Sequence, residues 1–325
     1  MGHSKISRKC NDRVKRPSHG YLFLAFVLTM LHSSFCGLAQ DLDPRAYVWA
    51  PINGNFVNAG FAYSHGGVLT DPTLPFDNLI ASLQTVNAGY ARTFGLLGKT
   101  AQVFAAVPYT WAQASADLNG QRESLTRSGF SDMRMRASVL LLGAPATTLA
   151  NFAKVKRKTI LGVSLNVVLP TGQYFSDKLI NLGANRWSFR PEIALSQPIG
   201  THWVMDLYTG LWLFTQNKKY YDGSNLRTQD PMGTIQGHLS YNINPKMWVA
   251  VDATFYVGGQ SAVNGVNKND RQSNSRIGAT FLFPVLKRNS LKIAASTGAI
   301  VRSGADFNTV SIGWQRSWIR KPALH

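Results

Sequence analysis

Along most of the chain after about residue 55, apolar and polar side chains take turns. Asp132, Arg134, Arg136 and Ser138 alternate with Met133, Met135, Ala137, Val139 and Leu141. Arg186, Ser188, Arg190 and Glu192 interleave with Trp187, Phe189 and Ile193, and Asp206, Tyr208 and Trp212 with Met205, Leu207 and Leu211. Asp252, Thr254 and Tyr256 oppose Val251, Phe255 and Val257 in the same way. A strand turns successive side chains to opposite faces, so each stretch has one greasy and one wet face. No stretch keeps the 3.6-residue stripe of an amphipathic helix.

Twelve stretches alternate in this way, near 55–65, 83–94, 100–112, 131–142, 158–169, 185–197, 201–215, 229–243, 246–258, 272–285, 289–301 and 306–319. They are longer than the ~5–6 residues of an ordinary strand and suit tilted transmembrane strands, which need ~9–11. Turn residues separate them: Gly120, Gly200, Asn244-Pro245, Asn289 and Gly304. Longer polar connections at 113–129, 171–184, 216–228 and 259–271 alternate with short ones, as the external loops and periplasmic turns of outer-membrane barrels do. Gly66-Gly67, Gly258-Gly259 and Pro170-Thr171-Gly172 read as strand-end turns or bulges. The prediction is an all-β protein, an antiparallel up-and-down transmembrane β-barrel of about 12 strands. A secreted β-sandwich would show the same alternation along one strand. Strand length and aromatics at the ends of the apolar faces (Tyr109, Trp111, Trp187, Trp203, Trp314, Trp318) favour the barrel.

The first 39 residues differ from the rest. Lys5, Arg8, Lys9, Arg13, Lys15 and Arg16 precede an apolar run from Tyr21 to Leu31, and Gly37 and Ala39 put small residues before Gln40. That order reads as a cleaved secretory signal peptide, 1–39, followed by a barrel domain, 40–325, with a short C-terminal tail. An eleven-residue core is too short to span comfortably as a signal anchor. Cys10 and Cys36 both fall in the leader, so the exported chain would hold no disulfide.

Composition agrees with a membrane barrel. Charged residues are 15% of the chain, against ~25% in soluble domains. The net charge of +18 falls to 28 basic against 15 acidic residues once six cations and one acid leave with residues 1–39. These cations are spread among strands and loops, which argues against a nucleic-acid surface. They suit contact with anionic lipid headgroups at the rim.

The polar faces supply the candidate lumen residues: Asp132, Arg134, Arg136, Arg186, Arg190, Glu192, Asp206, Asp252, Arg276, Lys292 and Arg302, with Tyr208, Trp212 and Tyr256. Seven of the charged residues are cations and four are anions, a balance that favours anions in a narrow low-dielectric pore. The same residues could equally form a network of salt bridges that plugs the barrel. His238 and Ser240 share a face, the thin basis for an outer-membrane esterase or phospholipase reading. No metal-ligand spacing or phosphate-cradling loop occurs, so neither a catalytic role nor a cofactor is expected.

Several segments together resemble one family. They are Leu42-Asp43-Pro44-Arg45-Ala46-Tyr47, Phe61-Ala62-Tyr63-Ser64-His65-Gly66-Gly67, Val107-Pro108-Tyr109, Ser128 to Arg136, Leu169 to Tyr174, Ile180 to Glu192, Gln229-Asp230-Pro231 and Gly258-Gly259-Gln260. In this order they resemble the outer-membrane transporter family named after the meta-pathway of phenol degradation, over about residues 42 to 319. The resemblance implies an outer-membrane barrel with a transport role. The expected function is passive passage of small organic solutes, aromatic or anionic ones among them. The alternatives are a barrel enzyme and a closed structural barrel whose loops bind a partner. The expected partners are outer-membrane lipid, the barrel-assembly machinery during biogenesis, and the solutes.

Overall fold

The computed structural model describes residues 42–69, 76–118, 121–152, 158–178 and 180–319. The signal-peptide reading of 1–39 and the tail after Ile319 lie outside the described residues. The strands, in chain order, are β1 (Gly54–Leu69), β2 (Phe76–Leu96), β3 (Lys99–Leu118), β4 (Gln121–Phe130), β5 (Arg134–Leu142), β6 (Ile160–Val168), β7 (Ser188–Ile199), β8 (Trp203–Phe214), β9 (Asn217–Tyr220), β10 (Asn225–Gln229), β11 (Met232–Asn244), β12 (Met247–Gly258), β13 (Ser261–Val263), β14 (Val266–Asn267), β15 (Gln272–Leu286), β16 (Asn289–Ile300) and β17 (Gly304–Ile319). One short helix, α1 (Leu149–Phe152), precedes β6.

Neighbouring strands pair antiparallel, and β17 returns to pair with β1, so the sheet closes on itself. Both β4 and β5 pair with β3 and together make one wall strand, interrupted at 131–133. Counted so, the wall is a closed twelve-stranded barrel. Closure gives every wall strand but the β4 half two hydrogen-bonded neighbours, which is what a lipid-facing backbone requires. Sheet β9, β10, β13 and β14 is a separate four-stranded piece built from the two connections 215–231 and 259–271.

Burial decides between barrel and sandwich. On β11 and β12 the exposed side chains are Ile235, Leu239, Ile243, Val249, Val251, Phe255 and Val257. The buried ones are Thr234, Gln236, His238, Ser240, Asp252 and Thr254. A soluble sandwich would do the reverse. Only a wall with lipid outside and a filled interior makes this distribution favourable.

Three expectations need correction. Residues 113–129 are not a loop: β3 and β4 continue as a paired hairpin through Asp117 and Arg122. Gly66 and Gly67 do not end a strand but lie inside β1, where a Cβ on Gly66 would come 2.0 Å from the Asp306 carbonyl oxygen of β17. The connection 143–159 carries α1 at the end of the barrel where the others (97–98, 200–202, 245–246, 287–288) are tight turns.

The interior is not empty. Residues 42–53, which precede β1, run inside the wall. Tyr47 and Trp49 pack there with Leu140, Ala144, Ile160, Ala194 and Tyr208 as the apolar core of the molecule.

Candidate solute pathway

The segment that fills the lumen is held mostly by polar contacts. Asp43 Oδ1 pairs with Lys292 Nζ on β16 at 3.0 Å. Arg45 donates through Nη1 to Asn242 Oδ1 on β11 at 2.8 Å, and its guanidinium lies 4.8 Å over the Trp248 ring on β12. The Ala46 amide donates to Tyr208 Oη on β8 at 3.2 Å. Tyr47 Oη donates to Glu192 Oε1 on β7 at 2.8 Å and lies 2.7 Å from Ser164 Oγ on β6. Trp49 Nε1 donates to the Pro145 carbonyl at 3.0 Å, and its ring packs 4.6 Å from Phe152 of α1. Two glycines leave room for this segment. A Cβ on Gly162 would come 2.6 Å from Tyr47 Cδ1, and one on Gly278 would come 2.6 Å from Leu42 Cδ1.

Directly beyond Tyr47, toward the long connections, the registers of six wall strands bring Phe104, Arg136, Asn166, Arg190, Trp212 and Met232 into one inward row. The Arg136 guanidinium lies 4.3 Å over the Tyr47 ring, and that of Arg190 lies 5.0 Å over Trp212. Glu192 sits between the two cations: its Oε2 is 3.3 Å from Arg190 Nε and its Oε1 is 4.0 Å from Arg136 Nη2. Arg134 shares the inward face one pleat farther out. Arg186 bonds Gln229 and stacks 4.5 Å over Phe214. The outer half of the lumen therefore carries more cations than anions.

On the inner side of Tyr47, Asp206, His238 and Asp252 lie side by side on β8, β11 and β12. His238 Nδ1 is 2.7 Å from Asp252 Oδ1, and Thr280 Oγ1 donates to Asp252 Oδ2 at 2.9 Å. Tyr208 packs 5.0 Å from the His238 ring. Arg276 donates to Ser296 Oγ at 3.2 Å, and Tyr256 is buried on the same inward face of the wall.

Two of the expected residues sit elsewhere. Asp132 falls in the break between β4 and β5, where its carboxylate accepts the amides of Gly172 at 2.9 Å and Ala184 at 2.8 Å. It fastens the connection 169–187 to the wall. Arg302 lies exposed in the turn between β16 and β17. The residue that sequence reasoning missed is Tyr47, which narrows the lumen. Its only signal was membership of the quoted stretch Leu42 to Tyr47, which lies outside the twelve strand-like stretches.

The serine hydrolase arrangement is not assembled. Asp252 orients His238 through Nδ1, but His238 Nε2, the nitrogen that would have to take the serine proton, makes no hydrogen bond, and neither does Ser240 Oγ. A nucleophile needs its base within hydrogen-bond reach. Among the described residues no cluster of three or more His, Cys, Asp or Glu side chains could hold a metal ion.

Comparison with known proteins agrees with this architecture. A structure of the COG4313 outer membrane channel from Pseudomonas putida F1 superposes with a TM-score of 0.71 at 18% identity, covering 86% of this chain and 100% of that one. The transport unit of the autotransporter AIDA-I from Escherichia coli matches with a TM-score of 0.51 at 8% identity, covering 92% and 97%. Both likenesses are of fold. No curated protein sequence matches. The family model described as "Putative MetA-pathway of phenol degradation" matches residues 61–312, which run from the middle of β1 to the middle of the closing strand β17. The chain has the closed β-barrel fold of these outer-membrane proteins and belongs to that family.

Proposed function

We propose that this barrel is a passive channel for small organic solutes, driven by their concentration gradient alone. One observation carries the reading: a segment with Tyr47 at its centre crosses the lumen, held by a few hydrogen bonds and ion pairs rather than by a folded domain. Each such bond contributes only about 0.5–1.5 kcal/mol net, so the plug can shift while the wall stays intact. A purely structural barrel has no need of a lumen whose outer half is lined by Arg134, Arg136, Arg186 and Arg190.

A solute that reaches Tyr47 has two ways onward. One is past the plug toward the tight-turn end. The other is sideways at the break 131–133, where β4 has β3 as its strand neighbour on one edge only. The second route would release an apolar solute into the membrane. Its other edge is covered by the connection 169–187, through the Gln173 amide on the Phe130 carbonyl and the Leu169 amide on the Met133 carbonyl.

The solutes, surrounding lipid and the assembly machinery are the partners this reading requires. No cofactor enters it. The test is single-channel recording in a planar bilayer under an asymmetric salt gradient. Discrete steps with anion preference are expected. Replacing Arg134, Arg136 and Arg190 by Gln should move the reversal potential toward cations, and unchanged selectivity in a folded variant would remove these residues as a filter. Hydrolysis of an ester substrate that disappears in His238→Ala would favour the enzyme alternative.

A further inference from the structure

We infer that the row above Tyr47 is a binding site for aromatic carboxylates, molecules that carry a ring and an anionic group together. The inference rests on the channel reading and names its substrate class.

The row pairs each cation with a ring. Arg190 stacks on Trp212 and Arg136 on Tyr47, with Arg186 on Phe214 just outside. Two guanidiniums face one carboxylate, Glu192, which also accepts the Tyr47 hydroxyl. One positive charge is therefore left over at this level, and Arg186 adds to it from outside.

The donors are under-used as well. Nε and Nη2 of Arg136, Nε of Arg190 and Nη1 of Arg186 are buried and make no hydrogen bond. Arg190 is 6% exposed. Buried donors without acceptors are unfavourable, and a guanidinium fork fits a carboxylate with two parallel bonds. An anion arriving here satisfies several donors at once. Its ring stacks on the outer face of a guanidinium, or takes a guanidinium's place on Trp212 or Phe214, and either arrangement favours an aromatic over an aliphatic chain.

A neutral hydrocarbon fares worse in this site. It would cover the guanidiniums without supplying an acceptor, the situation in which a polar site rejects an analogue that lacks the polar group. A small aliphatic acid fares worse too, because it leaves the rings uncovered. The combination sets the specificity.

The test compares benzoate, acetate and benzyl alcohol on the folded, detergent-solubilised barrel by equilibrium dialysis, and on proteoliposomes by swelling rate. Heat-modifiable gel mobility serves as the folding control. Benzoate should bind saturably and at least tenfold more tightly than acetate or benzyl alcohol, and its flux should saturate. Arg190→Gln and Trp212→Leu should each lower benzoate binding about tenfold. Arg190→Lys should recover only part of the loss, since it keeps the charge and not the fork. Equal binding of benzoate and acetate would reduce the site to a general anion collar and overturn the proposal. Equal binding of benzoate and benzyl alcohol would overturn it from the other side. If benzyl alcohol crosses and benzoate neither binds nor crosses, the site assignment fails and the channel survives. If no solute crosses but benzoate binds as expected, the channel reading fails and the site assignment stands.

Discussion

The hydroxyl of Tyr47 donates to Glu192 Oε1 at 2.8 Å, joining the segment before the first strand to the middle of β7 across 145 positions of sequence. This contact ties the segment that crosses the lumen to the arginine pair, because Glu192 is at the same time the counter-ion of Arg190 and Arg136. Removing it should act on the plug and not on the wall. Tyr47→Phe leaves a buried carboxylate oxygen without its donor, a loss of about 1–3 kcal/mol. The expected result is more frequent or larger conductance steps with an unchanged heat-modifiable mobility. A variant that no longer folds would mean that Tyr47 serves the wall.

Gly162 offers the same test from the other partner. A Cβ there lies 2.6 Å from Tyr47 Cδ1 and 3.2 Å from Leu140 Cδ2. Gly162→Val should push the Tyr47 ring aside, because neighbouring wall atoms are fixed by the β5–β6–β7 ladder. Conductance should rise as in Tyr47→Phe. The double variant should rise no further than the larger single effect, since both act on one ring.

Asp132 makes a separate prediction about the break in the wall. Its two oxygens accept the backbone amides of Gly172 and Ala184, and a Cβ on either Gly172 or Gly183 would crowd the same carboxylate, at 2.8 and 3.0 Å from Oδ1. Asp132→Ala should loosen the connection 169–187 and speed tryptic cleavage after the exposed Lys178 several-fold. Asp132→Asn, which keeps one acceptor oxygen, should fall between. Equal cleavage in all three proteins would contradict the fastening role.

The lipid face can be probed without touching the lumen. Val251 is 59% exposed near the middle of β12. An arginine near the bilayer midplane destabilises a barrel by about 2–4 kcal/mol. Val251→Arg should lower the urea midpoint by a corresponding amount in lipid vesicles. Thr254→Ala on the inward face of the same strand should change it far less. Equal effects would mean that Val251 does not face lipid.

The wall was legible in the sequence because lipid on one side and polar contacts on the other force strict alternation, as in Ile235 to Ile243. The projecting hairpin of β3 and β4 was not. On β3 the alternation continues, but with only Ala112, Ala114 and Ala116 opposite Gln113, Ser115 and Asp117, and on β4 Gln121 and Glu123 face one way and Arg122 and Ser124 the other, so the period-two signal fades. Asp132 looked like a lumen residue because the alternation from Arg134 to Ser138 extends back to it on paper. The break depends on the close approach of Gly172 and Gly183, contacts from 40 and 51 positions away that no local pattern carries. Tyr47 was hidden for a similar reason. Its segment is neither strand nor helix, and its partners come from several strands.

Conductance of the folded barrel in a planar bilayer, compared with a variant in which Tyr47 to Trp49 are replaced by glycine, tests the central claim most directly. The native protein should show small, infrequent steps, and the variant larger and longer ones with the same anion preference. Identical traces from the two proteins would contradict the assignment of this segment as the closure of the channel.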